Sequence, residues 1–147
     1  EPAKEAQEAG MINRIGVSNF SVEQIKQARD VVDIVSVQNQ YNPWKRQPET
    51  DGVLEYCENE GLTFIPWSPF GGRRRHQGLA DISAIKKVAE EKNVSVYCIA
   101  LAWLLGKSSC ILPIPAATQV SSIEDTVKAI DIKLSEVEIQ QIDRETS

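Results

Sequence analysis

Short apolar segments alternate along the chain with helix-like segments, and this order constrains the fold most. The apolar segments are Ile15–Val17, Asp33–Val37, Leu62–Ile65 and Cys110–Ile114. They are mostly apolar rather than strictly alternating, which is typical of strands that are buried on both faces. Strands separated by helices run parallel, because only a helical crossover returns the chain in the same direction. The order therefore predicts a parallel α/β sheet of four strands.

Capping signals mark several helix boundaries. Pro2 suits the first turn of a helix at residues 2–9, which Gly10 would end. Ser21 with Gln24 has the spacing of a capping box. Further helices are expected at residues 22–29, 49–60, 82–92, 96–106 (with Ser95 as the N-cap), 120–129 and 136–144, the last opened by a second capping box of Ser135 and Glu138. Residues 68–80 are expected to form a loop.

Two architectures are compatible with four strand–helix units. One is an open doubly wound sheet, and the other is part of a (β/α)8 barrel. The open sheet would carry a Gly-x-Gly-x-x-Gly turn after its first strand, and the chain has none there. A complete barrel takes about 250 residues, whereas this chain has 147. A single domain of about half a barrel fits that length.

Composition narrows the function classes. The net charge of −5 argues against a broad basic surface for nucleic acid. The apolar runs are too short to cross a bilayer. Three cysteines without a CxxC pair indicate neither a disulfide framework nor a zinc site. We therefore expect a cytoplasmic protein with reduced thiols and no metal, nucleic-acid or membrane partner.

Polar motifs follow all four predicted strands, at the end where barrel proteins bind ligands. They are Gly16–Phe20, Val37–Asn42, Ile65–Gly72 and Leu112–Pro115. This series resembles strands five to eight of the aldo-keto reductases, over nearly the whole chain. The resemblance implies a (β/α)8 TIM-barrel type of fold, here the C-terminal half of the barrel, as a single domain over residues 1–147.

The resemblance also implies a nicotinamide site. Ser18, Asn19 and Gln38 match the residues that hydrogen-bond the carboxamide, and Trp67 matches the aromatic residue that stacks on the nicotinamide ring. The chemistry suits these roles, because a carboxamide has donors and an acceptor and a flat ring packs well on an aromatic face. Taken singly, Ser18-Asn19 would be an ordinary turn, Gln38 a strand end and Trp67 a core residue. Only the joint pattern favours a site.

The phosphate and adenosine ends of the coenzyme have matching positions too. Ser68, Phe70 and Gly72 match the stretch that wraps the pyrophosphate, where glycine lets backbone N–H groups approach. The adenosine end matches Thr118, Gln119, Ser122, Asp125 and Thr126. A helix that begins near Ser121 would direct its positive end at an anion. The run Arg73–Arg75 is either a solvated loop or a cationic flap over the pyrophosphate.

The implied function is an NAD(P)H-dependent oxidoreductase that reduces small aldehydes or ketones by hydride transfer. Gln119 and Ser122 are neutral where NADPH-preferring members have cations, so both NADP(H) and NAD(H) remain candidate coenzymes.

The family's catalytic Asp, Tyr, Lys and His belong to the first half of the barrel. The chain's tyrosines and its single histidine, His76, do not match them. We therefore expect no catalytic residues here and no activity from this chain alone.

An alternative function is a non-catalytic half-barrel that binds a nucleotide or a protein. The first and last strands would leave open edges, which invite pairing. The expected macromolecular partner is thus the missing N-terminal half or a second copy of the chain.

Overall fold

The computed structural model describes residues 2–72 and 75–146. Within them, three strands form one parallel sheet in the order β1-β2-β3: β1 is Ile15–Ser18, β2 is Ile34–Gln38 and β3 is Thr63–Phe64. The α-helices are α1 (Pro2–Glu8), α2 (Val22–Arg29), α3 (Gln47–Thr50), α4 (Val53–Asn59), α5 (Ser83–Lys92), α6 (Val96–Lys107), α7 (Val120–Val127) and α8 (Glu136–Glu145). Two 3₁₀ segments lie at His76–Asp81 and Lys128–Asp131. The architecture is a partial barrel.

The predicted fourth strand at Cys110–Ile114 is wrong as a full strand. Only Ile111 bridges the sheet, in parallel with Phe64. The Phe64 N–H donates to Cys110 O at 2.9 Å, and the Leu112 N–H donates to Phe64 O at 2.8 Å. The next bond of this parallel ladder would be donated to Leu112 O by residue 66, which is Pro66 and has no N–H. The segment therefore lies beside β3 without forming a strand of its own.

Three other expectations need correction. The predicted helix at 49–60 is two helices, because Gly52 adopts a left-handed φ of 78° between α3 and α4. The expected loop at 68–80 contains a 3₁₀ segment, and the helix expected at 120–129 becomes 3₁₀ after Val127. Both capping boxes are confirmed, with reciprocal bonds between Ser21 and Gln24 and between Ser135 and Glu138.

The core lies between the sheet and a nearly all-apolar α6. Val37 and Phe64 are fully buried and pack with α6, in which residues 98–104 are all buried. The Tyr41 ring lies 6.0 Å from Phe64 and 5.5 Å from Trp103, centroid to centroid. This contact fixes the chain just after β2 against the helical layer.

The sheet is not buried on both faces as expected. In β1, Ile15 and Val17 are partly buried, whereas Gly16 and Ser18 are exposed. The alternation arises because successive strand residues point to opposite sides of a sheet. One side of β1 therefore lies open, and it carries Ser18 at the carboxyl end.

An ionic cluster joins α3, α6 and α8 on the far side of Tyr41. The Arg46 guanidinium donates two hydrogen bonds to the Glu49 carboxylate, at 3.0 and 2.7 Å. The Lys107 ammonium lies 2.7 Å from Asp143 and 3.5 Å from Glu49. Burial alone would raise the pKa of Glu49, but hydrogen bonds from Arg46 and Tyr41 and the charge of Lys107 outweigh it, so that pKa lies below its ordinary value.

Candidate functional site

The carboxyl ends of β1 and β2 meet at a single carbonyl group. Gln38 O accepts from the Asn19 N–H at 3.0 Å and from the Ser18 hydroxyl at 2.9 Å. Ser18 pairs with Gln38 in the strand register, which makes this meeting possible. Asn19 has a left-handed φ of 58°, a conformation that asparagine tolerates better than most residues. Ser18 and Asn19 thus both lie at Gln38 O, at the carboxyl end of the sheet.

Trp67, which follows β3, lies beside Asn19 at the same end of the sheet. Its indole Nε1–H donates to Asn19 Oδ1 at 3.0 Å. Its backbone N–H donates to Asn39 O at 3.1 Å, and the residue bridges Gln40 in parallel. Trp67 is only partly buried and lines a cavity of about 330 Å³ with Asn19 and Asn39. The interpretation of Trp67 as a plain core residue is therefore wrong.

Several polar groups at this point keep unused hydrogen-bonding capacity. The Ser18 hydroxyl donates to Gln38 O, so its lone pairs can still accept. The Asn19 side-chain oxygen accepts from Trp67, which leaves its NH₂ group able to donate. The Gln38 side-chain amide makes no hydrogen bond among the residues that the structure describes. Together they offer donors and acceptors in one place.

Asn39, the residue after Gln38, has a buried side-chain oxygen without a hydrogen-bond partner among the described residues. Its Nδ2–H donates to Phe20 O at 3.0 Å, whereas Oδ1 is buried without a partner within the described ranges. A buried oxygen without a partner costs free energy of roughly 1–3 kcal/mol. A donor from outside these residues would relieve it.

The loop after Trp67 is shaped by left-handed residues. Ser68 has φ 51°, and Gly71 and Gly72 have φ 79° and 78°. Ser68 O accepts from the Asn42 side-chain amide at 3.0 Å and from the Gly71 N–H at 2.9 Å. A Cβ at Gly71 would lie 2.7 Å from the Trp44 ring, so any larger residue would require a shift there. The bonds around Ser68 O therefore hold a tight turn whose glycines expose the backbone.

The arginine run is described only in part. Arg73 and Arg74 lie outside the described residues, so the flap that the sequence suggested is not tested. Arg75 is exposed, and its guanidinium lies 5.9 Å from the centroid of the Trp44 ring. The backbone N–H groups of Arg75 and His76 both donate to Gly72 O, at 3.2 and 3.1 Å. Arg75 is thereby held against the outside of the turn.

A chain of side-chain contacts connects this loop with α7. The Phe70 ring meets the Tyr97 ring edge-on, with centroids 5.2 Å apart. Tyr97 stands in the first turn of α6, whose N-cap Ser95 accepts from the Cys98 N–H at 3.0 Å. The Ser95 hydroxyl donates to the Asp125 carboxylate on α7. The first turn of α6 and its N-cap thus connect the loop at residues 68–72 with α7.

The five residues matched to the adenosine end form a second, separate group. Thr118, Gln119 and Ser122 are exposed at the start of α7. The Thr126 hydroxyl donates to Ser122 O at 2.9 Å within the helix. Asp125 is already engaged by Ser95, so its carboxylate is only partly free to bind a ligand. No hydrogen bond between described residues links this group directly to Trp67.

Sequence reasoning missed the residues that connect these groups. Ser95 was read only as an N-cap, although it also binds Asp125. Asn42 and Trp44 support the loop after Trp67, through Ser68 and Gly71. Asn42 is the last residue of the motif Val37–Asn42 and Trp44 follows it, but a linear motif carries no sign of which loop its side chains contact.

Within residues 2–72 and 75–146, no group of three or more His, Cys, Asp or Glu side chains is arranged to hold a metal ion. In the same ranges, no helix is both long and apolar enough to cross a membrane. The three cysteines are free, and burial raises the pKa of the Cys57 thiol to about 12.

Comparison with known proteins assigns the family. The model of the Aldo/keto reductase family matches residues 3–145. The chain belongs to the aldo/keto reductase family. It is 38% identical over 136 residues to an uncharacterized oxidoreductase of Schizosaccharomyces pombe, covering 92% of this chain and 43% of that protein. It is 32% identical to pyridoxine 4-dehydrogenase of Escherichia coli, covering 95% of this chain and 46% of that enzyme.

Solved structures of aldo-keto reductases agree with this assignment. A thermostable aldo-keto reductase in complex with the inhibitor epalrestat superposes with a TM-score of 0.87 at 34% identity, covering 97% of this chain and 52% of that one. An aldo-keto reductase from Klebsiella pneumoniae in complex with NADPH gives a TM-score of 0.85 at 28% identity, covering 96% and 50%. The chain thus spans about half the length of the relatives it matches.

Proposed function

We propose that this chain is the C-terminal, coenzyme-binding half of an NAD(P)H-dependent reductase of small aldehydes or ketones. The hydrogen bond from the Trp67 indole to Asn19, beside Ser18 and Gln38, carries the proposal. These four residues come from the ends of three parallel elements, where (β/α)8 enzymes place their sites. The order of their motifs along the chain supports the C-terminal half.

The nicotinamide end would be held by complementary hydrogen bonds and stacking. The free NH₂ of Asn19 and the amide of Gln38 can donate to the carboxamide oxygen, and the Ser18 oxygen can accept from its NH₂. The Trp67 ring is fixed at its edge by Asn19, so one aromatic face is available for the nicotinamide ring. This donor set fits a carboxamide better than it fits a carboxylate, which would need donors only.

The phosphate end would be held by the glycine turn and the adenosine end by α7. A Cβ at Gly72 would meet only Ser68 Oγ, in ordinary van der Waals contact at 3.6 Å, so the turn is not crowded there. Backbone N–H groups in left-handed turns form concave anion sites. Phe70 braces the turn against Tyr97, and Gln119, Thr118, Ser122 and Thr126 offer neutral hydrogen-bonding groups to the adenosine.

NADP(H) is the proposed coenzyme, because relatives have been solved with NADP and NADPH. The start of α7 has no cation at Gln119 or Ser122, whereas a phosphate of charge near −2 favours an arginine partner. Discrimination between NADPH and NADH is therefore proposed to be weak.

The coenzyme would supply a hydride to the substrate carbonyl, and we propose that none of the described residues donates the proton for that step. The Tyr41 hydroxyl donates to Glu49 Oε1 at 2.5 Å, and burial, followed by this carboxylate, raises its pKa well above the ordinary value. The Tyr56 hydroxyl accepts from Arg29 at 3.0 Å, and Tyr97 packs on Phe70 and His76. We propose that the chain is inactive alone. No specific observation favours a non-catalytic module.

The test is calorimetric titration of the folded chain with NADPH and NADH, comparing wild type with Gln38→Ala. We expect saturable binding that weakens by about tenfold on loss of one amide hydrogen-bonding group. Gln140→Ala, an exposed glutamine on α8, is the matched control and should bind as wild type does. Binding that Gln38→Ala leaves unchanged, or absence of binding to the folded chain, would refute the proposal.

A further inference from the structure

Asn42 is buried between two loops and uses both ends of its side-chain amide. The residue lies after β2 and is 1% exposed. Its Nδ2–H donates to Ser68 O at 3.0 Å, and its Oδ1 accepts from the Trp44 N–H at 3.1 Å. Its backbone is also held, because Asn42 and Lys45 exchange two backbone hydrogen bonds, at 3.2 and 3.0 Å. The amide is therefore fixed in one orientation between the loop after β2 and the loop after β3.

The backbone ladder beside Asn42 ends at a proline. The Trp67 N–H donates to Asn39 O at 3.1 Å, and the Tyr41 N–H donates to Trp67 O at 3.5 Å. In a parallel ladder the next donor would be the N–H of residue 69, but this residue is Pro69, which has none. The backbone pairing of the two segments therefore stops at Trp67, and the side chain of Asn42 supplies the bond that follows it.

Ser68 has a backbone conformation that its residue type does not favour. Its φ is 51°, in the left-handed region, where residues other than glycine are uncommon. It also precedes Pro69, and the residue before a proline is normally extended. Two hydrogen bonds to Ser68 O oppose these preferences, from the Asn42 amide at 3.0 Å and from the Gly71 N–H at 2.9 Å. Residues in sparsely populated conformations persist only where their surroundings over-determine them, and they cluster at ligand sites.

Trp67 lies between two left-handed residues. Asn19, with a φ of 58°, accepts a hydrogen bond from the Trp67 indole at 3.0 Å, and Ser68 follows Trp67 directly in the chain. The Trp67 backbone is held by the ladder, and the position after it is held by Asn42. Without the Asn42 bond, Ser68 would be free to relax to an extended conformation. Relaxation would redirect the chain after Trp67 and disturb the bond between its indole and Asn19.

We propose that Asn42 is a positioning residue of the coenzyme site, which acts by holding Ser68 in its left-handed conformation. This inference rests on the proposed function, in which the Trp67 ring stacks on the nicotinamide and the turn through Gly72 holds the pyrophosphate. Asn42 offers no free surface to the coenzyme, since it is 1% exposed and its amide is bonded at both ends. Its contribution is preorganisation, because a ring and a turn that are already ordered need not be ordered on binding.

The two ends of the amide allow the bond to Ser68 to be tested separately from the bond to Trp44. Asn42→Asp keeps an oxygen for the Trp44 N–H but replaces the N–H donor that faces Ser68 O with a second oxygen. The ring of Trp44 packs against the same turn, since a Cβ at Gly71 would lie 2.7 Å from it. Asn42→Asp therefore preserves the side-chain shape and the support through Trp44, and it removes only the bond in question.

The experiment compares the 147-residue chain with its Asn42→Asp and Asn42→Ala variants. Asn42→Ala removes the same donor without adding a charge. Asn59→Asp and Asn59→Ala, at the exposed end of α4, are the matched controls. Calorimetric titration measures NADPH affinity, and ¹⁵N NMR of the tryptophan indole groups compares the chains without coenzyme. Circular dichroism shows which chains are folded, and if only one Asn42 variant is folded, the test rests on that variant.

Both Asn42 variants are expected to bind NADPH about tenfold more weakly than the wild type does, and both Asn59 variants should bind it equally well. Without coenzyme, the Trp67 indole signal should shift in the Asn42 variants. The indole signal of Trp103, which is bonded to Asp143 at 2.9 Å, should stay in place.

Four results would overturn the positioning role. They are unchanged NADPH affinity in the Asn42 variants, weakening in Asn42→Asp but not in a folded Asn42→Ala, a Trp67 signal that does not move, and a Trp103 signal that moves as far as that of Trp67. The second result would indicate charge repulsion, and the last would indicate a general loss of packing.

The spectra without coenzyme separate this role from the proposed function. If the wild type binds no NADPH, the proposed function is refuted, and the Trp67 signal alone decides whether Asn42 holds Ser68. If the wild type binds NADPH and the Asn42 variants bind it equally well, coenzyme binding stands and the positioning role is refuted.

Discussion

The indole N–H of Trp67 donates to Asn19 Oδ1 at 3.0 Å across 48 positions of sequence. Asn19 follows β1 and Trp67 follows β3, so this bond spans the whole three-stranded sheet at its carboxyl end. It sets the plane of the aromatic ring and leaves the asparagine NH₂ available. In the proposed function, this bond would fix the Trp67 ring and Asn19 before the coenzyme binds.

Asn19→Gly tests the role of this bond. Glycine accepts the φ of 58° without strain, so the substitution removes the side chain and spares the turn. We expect NADPH affinity to fall by about tenfold, because the ring loses its anchor and the carboxamide loses a donor. The measurement is calorimetric titration, with Asn59→Gly at the exposed end of α4 as the control. Equal affinities of Asn19→Gly and wild type would mean that Asn19 plays no part.

The Ser95 hydroxyl makes two hydrogen bonds, and the substitution Ser95→Ala removes both. Its hydroxyl caps α6 and also binds Asp125 on α7. Loss of an N-cap costs about 0.5–2 kcal/mol, and the loss of the Asp125 bond should add to this. Urea unfolding measures the change, with the exposed Ser109→Ala as the control. Asp125→Ala should lower the unfolding free energy less, since the cap remains; an equal loss in both variants would contradict two separate roles.

Two variants can separate the cost of the close contact between Gly71 and Trp44 from the cost of backbone strain at a positive φ. Gly71→Ala introduces a Cβ 2.7 Å from the Trp44 ring at a φ of 79°. Gly61→Ala introduces one at a φ of 65° with nothing within 4 Å. Strain at such φ values costs about 1–2 kcal/mol in either variant, and overpacking adds typically 1–3 kcal/mol at Gly71 alone. Thermal unfolding should show the larger loss for Gly71→Ala, and equal losses would show that Trp44 simply moves aside.

The ionic cluster around Glu49 predicts a stability that depends on pH. The pKa of Glu49 is lower in the folded chain, so its ionised form stabilises the fold above the ordinary carboxyl range, and this contribution is lost as pH falls through the folded pKa. Glu49→Gln should therefore reduce the loss of stability between about pH 5 and pH 3. Unfolding free energies across this range measure the effect, with exposed Glu91→Gln as the control. Parallel pH curves for wild type and Glu49→Gln would contradict it.

Much of the local structure was predictable because its signals lie within a few residues. The Ser21–Gln24 and Ser135–Glu138 capping boxes are short-range patterns, and both appear in the structure. The split at Gly52 depends on one left-handed residue, which an otherwise helical pattern conceals. The fourth strand was overestimated because its apolar composition outweighed the effect of Pro66 on β3's side, whose missing N–H removes the ladder bond that would follow the Phe64–Ile111 bridge.

The candidate site was predictable only in part. The polar motifs indicated Ser18, Asn19, Gln38 and Trp67, and the structure brings these four together. The bonds of Asn42 to Ser68 and of Ser95 to Asp125 join elements 26 and 30 positions apart, so no local pattern indicates them. The exposure of Val120, Ile123 and Val127 on α7 was equally hidden, because an amphipathic pattern ordinarily predicts that the apolar side of a helix is buried.

The most direct test of the coenzyme half-site is a ¹⁵N NMR titration of the three tryptophan indole groups with NADPH. The Trp67 signal is assigned by its absence in Trp67→Phe. We predict that the Trp67 indole shifts with saturation on NADPH addition, while that of Trp103, buried and bonded to Asp143 at 2.9 Å, stays in place. A Trp67 signal that does not move while NADPH binds would contradict the account.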